Sequence, residues 1–257
     1  MKKMFKNKFK KIINSFLSIF DLELIKLSSK DPIDLTKSNL DPLTAQYLFG
    51  YNKMILNIDL SAGRTNRWFE LSDKSLDPPI FAIRHALSRG LKGNDLYKDI
   101  LSILQKQISI MNFKNVADLL DIEPNNGEKF RDYPWWAEVK PWDNRTLDDK
   151  LKHYAYEVKK NRAQNGMHIV SNDPNEIMKD DFENSISSHS MQYAKLTEQI
   201  KRNGFKYGGD YGYVDAEILI VNNKIRWKPS GEGNHRIAVA SALGLKSIPV
   251  LVSKIIR

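Results

Sequence analysis

The sequence predicts an α/β (α+β) protein, with a mainly helical N-terminal half that contains a short hairpin and a C-terminal mixed-sheet domain. Three observations lead to this prediction. Apolar residues recur at helical spacing in long segments of the first half, whereas short β-branched runs bounded by turns occur mostly near the end. The 257 residues are 41% hydrophobic and 28% charged, which is ordinary for a soluble globular chain. This length suits one large domain or two small ones.

Residues 1–28 are predicted to form a basic amphipathic helix. Phenylalanine, isoleucine and leucine recur at helical spacing, and lysines fill the other face. The first thirty residues contain eight lysines against Asp21 and Glu23, so they carry +6 of the formal net charge of +9. Such a helix can pack on the protein with its lysines in solvent, or it can lie on an anionic membrane surface. We expect a cytoplasmic protein, which in the second case is peripheral at the membrane.

The charge distribution and the cysteine content narrow the classes of function. The chain has no cysteine, which excludes disulfides, thiolate metal sites and cysteine nucleophiles. The apolar stretch from Ile12 to Leu27 is too often interrupted by polar residues to span a membrane. Beyond the first thirty residues the net charge is only +3, so a wide nucleic-acid-binding face is not indicated. A nucleotide is therefore a better-supported partner than DNA.

The region 29–125 is predicted to be helical around a short hairpin, and no motif in it indicates a role. Turn and cap signals separate its elements, among them Asp41 followed by Pro42, which predicts a helix start. The elements predicted here are the hairpin strands Met54–Leu60 and Trp68–Leu71 and the helices Ile80–Ser88 and Asp95–Met111. A polar stretch at 123–128 predicts a boundary, and residues 126–257 are assigned to a second domain.

Three of the five tryptophans, Trp135, Trp136 and Trp142, lie within eight positions of one another. Such a cluster can form a hydrophobic clasp over the next predicted helix, Thr146–Lys160, or a stacking platform for a base or a sugar. We favour the clasp, because buried aromatic side chains contribute heavily to cores and interfaces.

The last quarter of the chain has the sharpest pattern of elements. A helix is predicted to end at Gly204, and two strands joined by an Asn-Asn turn follow it. A glycine-bracketed turn then leads into a short helix that stops at Gly244, and an apolar β-branched strand comes last. These elements are Tyr193–Asn203, Val214–Val221, Ile225–Trp227, the turn Gly231–Arg236, Ile237–Leu243 and Ile248–Val252.

The turn Gly231–Arg236 has the features of a phosphate site. Gly231 and Gly233 lack a Cβ, so the backbone can approach a ligand closely. Asn234 is predicted to cap the following helix, whose free amides and positive dipole end attract anions. His235 and Arg236 add hydrogen-bond donors at the same place, and an arginine can hold a phosphate with two parallel bonds.

The order of these elements resembles the ParB/sulfiredoxin superfamily. Members of that superfamily show a helix ending near a glycine, two strands, a glycine turn that ends in His-Arg or Arg, an alanine-rich helix and an Ile-Pro-Val strand. Here the turn Gly231–Arg236, the helix from Ala238 to Gly244 and the sequence Ile248-Pro249-Val250 match. The resemblance covers about residues 190–257, and it extends less securely back to Tyr133.

Two departures from the family pattern limit what the resemblance implies. Sulfiredoxins use a cysteine in this turn, and Asn234 stands in its place, so that chemistry is excluded. Chromosome-partition ParB proteins carry a helix-turn-helix after the motif, whereas this sequence stops at Arg257, so centromere recognition of the usual kind is not expected. What remains similar is nucleotide handling, since CTP-binding switches and free serine kinases share this fold.

The resemblance therefore implies a nucleotide-binding or phosphate-binding domain that transfers or hydrolyses phosphate, as a kinase or a nucleotide hydrolase. Mg²⁺ with a nucleoside triphosphate or diphosphate is the expected cofactor. Glu232 is the candidate acid–base or metal-binding carboxylate, although an exposed turn glutamate without a role is equally compatible with the sequence. Gly231, Gly233, Asn234, His235 and Arg236 would hold the phosphates. The alternatives are a non-catalytic DNA-binding or regulatory ParB-type module and a membrane-peripheral accessory protein.

Other polar residues are weaker candidates. Asp215 and Glu217 lie two apart on one strand and can bind a cation, but we expect them to face solvent. Arg64 and Arg67 flank a turn and can complete a ligand pocket, but we expect an ordinary surface pair. The remaining histidines, His85, His153, His168 and His189, have no metal-ligand spacing.

Overall fold

The computed structural model describes residues 31–110, 145–221 and 224–256, apart from 51–52, 67–68, 73, 76 and 167–170. These residues form a mixed α/β fold, as predicted. The helices are α1 (Pro42–Phe49), α2 (Pro78–Ser88), α3 (Gly93–Ile110), α4 (Leu147–Gln164), α5 (Pro174–Asn203) and α6 (Asn234–Ala242). The strands are β1 (Ile33–Asp34), β2 (Met54–Asp59), β3 (Asp215–Val221), β4 (Lys224–Pro229) and β5 (Ser247–Ile256).

The five strands form one mixed sheet in the order β1-β2-β5-β3-β4. The pairs β1–β2 and β3–β5 are parallel, whereas β2–β5 and β3–β4 are antiparallel. The last strand, β5, lies in the middle, where it joins strands from the first quarter of the chain to those near its end. Its residues Ile248 and Val250 are fully buried, as expected for a central strand.

The segment that follows β2 forms a β-bridge with β4, the edge strand farthest from β1 in the sheet. Arg64 N donates to Trp227 O at 2.7 Å, and the indole Nε1 of Trp227 donates to Asp59 O at 2.8 Å. Trp227 is fully buried. A Cβ on Gly63 would lie 2.7 Å from the indole Cε2, so only glycine allows this crossing. This crossing brings Thr65 and Asn66 beside the turn that precedes α6.

Helix α6 is mostly buried. It contacts α5 and α2, and its residues Ile237 to Ala242 are all buried. Burying a side chain such as Ile237 or Val239 stabilises the fold by about 1.5–3 kcal/mol. The N-terminus of α6 is therefore held in a fixed position by core packing.

Several start and stop signals in the sequence are confirmed. Asp41 caps α1 through bonds from Leu43 N and Thr44 N, and Pro42 is its first residue. Gly204 ends α5 with a φ of 70°, and Gly244 follows α6 with a φ of 71°. These conformations favour glycine because it has no Cβ.

Two predictions about the elements are wrong. The strand predicted from Met54 does not form a hairpin with Trp68–Leu71. It pairs with β1 and β5 instead, because its buried alternate residues join the central sheet, and the described part of the second stretch makes only the bridge Arg64–Glu70. The helix predicted from Tyr193 starts much earlier, at Pro174.

The sheet draws strands from both sides of the predicted boundary at 125 and 126, since β1 and β2 come from the first region. The boundary itself, the basic helix 1–28 and the tryptophans 135, 136 and 142 lie outside the described residues. Among the helices that are described, none has the length and apolar character needed to cross a membrane.

Candidate functional site

A glycine turn connects β4 to the N-terminus of α6, as the sequence predicts, but it is shorter than the predicted Gly231–Arg236. Helix α6 begins at Asn234 rather than at Ile237, so the turn is confined to Gly231–Gly233. Gly233 has a φ of 101° and stands at the N-cap of α6. A Cβ at this position would lie 2.8 Å from Val214 Cγ2 and 3.1 Å from Val214 Cα, so glycine is required. At Gly231 a Cβ would meet only Asp215 Oδ2, at 3.9 Å, so the predicted need for close backbone approach applies to Gly233 alone.

Asn234 does not cap α6, so its predicted N-cap role is wrong. The cap residue is Gly233, and Asn234 is the first residue of the helix. Its side chain turns back, and Nδ2 donates to Gly231 O at 3.1 Å. Its Oδ1 accepts a bond from Asn66 Nδ2 at 3.3 Å. The first hydrogen bond of α6 runs from Ile237 N to Gly233 O, so the amides of residues 234–236 precede the helical ladder.

A cavity of about 420 Å³ lies beside the first turn of α6. This volume falls in the range of small-molecule sites. Asn234 and His235 form one wall, and Asn66 and Asp77 come from the segments after β2. The helices α4 and α5 add the polar and aromatic residues Tyr154, His189 and Tyr193.

His235 faces this cavity as a neutral imidazole. Its ring centroid lies 4.9 Å from those of His189 and Tyr193. Burial, together with the neighbouring His189, lowers the pKa of His235 from its ordinary value of 6.5 to about 4. At neutral pH His235 therefore offers a ligand a neutral ring and no positive charge.

The lowered pKa of His235 predicts a pH dependence of folding. Between pH 6.5 and about 4 the unfolded chain takes up a proton that folded His235 does not, so the free energy of unfolding should fall as the pH falls through this window. Substituting His235→Asn removes this titration. In urea unfolding from pH 7.5 to 4.5, we expect a smaller loss of stability for the variant than for the wild type. Equal losses would show that the His235 ring is protonated normally in the folded protein.

Arg236 and Glu232 lie on the other side of the turn. Arg236 donates from Nη2 to Tyr213 O at 2.7 Å and from Nη1 to Gly212 O at 3.2 Å. Glu232 Oε2 lies 4.0 Å from the position that a Cβ on Gly212 would occupy. Burial lowers the pKa of Arg236, and the charge of Glu232 opposes this shift. The guanidinium thus fastens the loop before β3, and together with Lys206 it lines a second cavity of about 230 Å³.

The structure therefore divides the predicted site residues into two groups. Asn234 and His235 face the larger cavity, whereas Glu232 and Arg236 lie against the loop Gly208–Tyr213. No protein-family model, curated protein or solved structure matches this chain. The resemblance of the turn to ParB/sulfiredoxin proteins consequently rests on the motif and its order of elements.

The weaker candidates are placed as follows. Asp215 and Glu217 are half-buried on one face of β3, and they alternate with the buried residues Val214, Ala216 and Ile218. Glu217 stands opposite the buried Lys228 of β4. Arg64 is buried, and its Nη1 donates to Gly63 O and Ser61 O, which excludes a surface role for it. Arg67 is outside the described residues. His85 bonds Asp99, and within the described residues no group of three histidines or carboxylates could hold a metal.

Sequence reasoning missed Asn66, Asp77, Tyr154, His189 and Tyr193 as cavity residues. They come from segments far apart in the chain, so no local spacing connects them. One signal was present, because Asp173-Pro174 is a typical helix start and caps α5. A helix beginning there places His189 and Tyr193 four residues apart on one face.

Proposed function

We propose that this protein binds a nucleotide at the N-terminus of α6 and transfers or hydrolyses its phosphate. One observation carries the proposal: the first turn of α6, held by Gly233 against Val214, forms a wall of a cavity of about 420 Å³. A helix N-terminus supplies amides and a positive dipole end for the phosphates. The cavity, with Tyr154 and Tyr193 in its walls, has room and aromatic surface for a nucleoside.

In this proposal the residues of the turn have separate tasks. The amides of residues 234–236 bind the phosphate oxygens. His235 is neutral, so it contributes a hydrogen bond and ring contact but no charge. Arg236 holds the loop through the carbonyls of Gly212 and Tyr213, and its positive charge acts on the phosphates from the side of the helix.

Glu232 is the proposed catalytic carboxylate. It is exposed on the turn, where it can accept a proton from an attacking hydroxyl or water. Mg²⁺ is usually held by one or two carboxylates and the phosphates themselves. Glu232 and Asp215, whose Oδ2 lies near Gly231, fit that requirement. When bound, the ion would neutralise phosphate charge as it builds up on the leaving group.

Equilibrium binding of labelled ATP, CTP, GTP and ADP, with and without Mg²⁺, tests this function. We expect at least one nucleotide to bind, and Glu232→Gln to keep binding while phosphate release or transfer falls roughly a hundredfold or more. Glu183→Gln, a change at an exposed glutamate of α5, is the matched control. Unchanged turnover in Glu232→Gln would remove Glu232 from the reaction. A wild type that binds no nucleotide but retards duplex DNA in a salt-sensitive manner would replace the proposal with the DNA-binding alternative.

A further inference from the structure

Away from the N-terminus of α6, the described walls of the larger cavity lack the cations that a phosphate pocket would have. Among its described lining residues there is no lysine or arginine, whereas Asp77, which is only 4% exposed, and Asn66 are both present. This part of the site therefore suits the non-phosphate end of a ligand.

A chain of side-chain amides fixes the orientation of Asn66. Asn234 Nδ2 donates to Gly231 O, which leaves Asn234 Oδ1 as an acceptor. Asn66 Nδ2 donates to that oxygen, so the remaining amide atom of Asn66, Oδ1, must also be an acceptor. Gly231 O is a backbone carbonyl and can only accept. Reversing the amide of Asn234 would therefore place its oxygen against Gly231 O, and reversing that of Asn66 would place its oxygen against Asn234 Oδ1.

The Asn66 Oδ1 atom is buried and accepts no hydrogen bond from any described residue. Nearly all buried acceptors in native proteins receive a hydrogen bond, so one without a donor needs an explanation. A donor brought by a ligand would supply it. The carboxylate of Asp77 in the same cavity is also an acceptor by its chemistry.

From these observations we infer that the cavity recognises an N–H donor group, an amino or ammonium group, seated among the rings of Tyr154, Tyr193 and His235 and bonded to Asn66 Oδ1. This inference rests on the proposed function in its nucleotide form, where the donor is the exocyclic amino group of a base. A simple amine is a second source of the same chemistry, since aromatic faces and a carboxylate also suit an ammonium ion.

Matched nucleotides test the inference, because ITP has a carbonyl where ATP has its exocyclic amino group, together with a proton on the adjacent ring nitrogen N1. UTP differs from CTP in the same way, at C4 and N3. We expect ATP to bind about tenfold or more tightly than ITP, or CTP than UTP, because a carbonyl would face Asn66 Oδ1 as a second acceptor. In Asn66→Ala the preferred ratio should fall to about one. Asn184→Ala, a change at an exposed asparagine of α5, should leave the ratio unchanged. Circular dichroism of each variant checks that it is folded.

The outcomes separate the inference from the proposed function. Equal binding of the members of both pairs would overturn the inference and leave nucleotide binding in place. Binding of benzylamine but not of benzyl methyl ether, which offers an acceptor and no donor, with no nucleotide bound and with loss in Asn66→Ala, would support the N–H donor site and overturn the nucleotide proposal. Binding of none of these probes would overturn both. A ratio that persists in Asn66→Ala would assign the selectivity to another residue and overturn the role of Asn66.

Discussion

Replacing Gly233 by alanine is expected to lower the free energy of unfolding by about 3 kcal/mol or more. Two costs combine at this position. A non-glycine residue at a φ of 101° is strained by about 1–3 kcal/mol. The new methyl group would also lie 2.8 Å from Val214 Cγ2 and 3.1 Å from the backbone Cα, and overpacking of this kind typically costs about 1–3 kcal/mol. Urea unfolding followed by circular dichroism measures the loss.

Gly231→Ala is the matched control for this prediction. Its new Cβ would make only an ordinary contact, 3.9 Å from Asp215 Oδ2, so the stability should change by less than about 0.5 kcal/mol. If the two variants were equally stable, the tight approach of Gly233 to Val214 would be absent in solution. The position of the α6 N-terminus would then be wrong as well.

Replacing Arg236 by alanine is expected to destabilise the fold by about 2 kcal/mol and to weaken nucleotide binding. The guanidinium bonds to Tyr213 O and Gly212 O would be lost, and bonds from a charged donor are worth about 1.5–3 kcal/mol when well buried. Arg236 is half-buried, so the lower part of that range applies. Thermal unfolding and nucleotide titration of the same variant measure both effects.

Arg89→Ala gives the comparison for an exposed arginine. Arg89 pairs with Asp99 while its side chain is 56% exposed, and such surface pairs contribute about 0.2–1 kcal/mol. If Arg236 held phosphate, as the sequence predicts, Arg236→Ala would act on binding far more than on folding. If Arg236→Ala weakens binding and leaves the stability unchanged, the hydrogen bonds to the two carbonyls do not form in solution. The guanidinium would then be free to bind phosphate.

Local signals in the sequence predicted the part of the site that is continuous in the chain. The glycine turn that begins at Gly231, the helix after it and the stop at Gly244 all depend on glycine conformation and apolar spacing, which are properties of neighbouring residues. For the same reason the start of α1 at Asp41 and Pro42 was predictable. Helix α6 begins at Asn234, three residues before the predicted start. The class of fold followed from these elements.

The distant parts of the site depend on tertiary contacts that no local pattern encodes. Met54–Asp59 alternates like a hairpin strand, yet its partner is the last strand of the chain, nearly two hundred residues away. That pairing and the crossing at Gly63 bring Asn66 to Asn234. Likewise, the sequence predicts that Arg236 binds phosphate. Only the tertiary structure reveals that its guanidinium donates to the backbone carbonyls of Gly212 and Tyr213.

The most direct test of the nucleotide site is a titration of ¹⁵N-labelled protein with ATP and Mg²⁺, or with whichever nucleotide binds best, followed through backbone amide resonances. The amides of Asn234, His235 and Arg236 should show the largest shifts, because they would donate to the phosphates. Residues of α1, none of which is among the described residues that line the cavity, provide the reference. Saturable binding that shifts other amides and leaves these three unmoved would contradict a phosphate site at the N-terminus of α6.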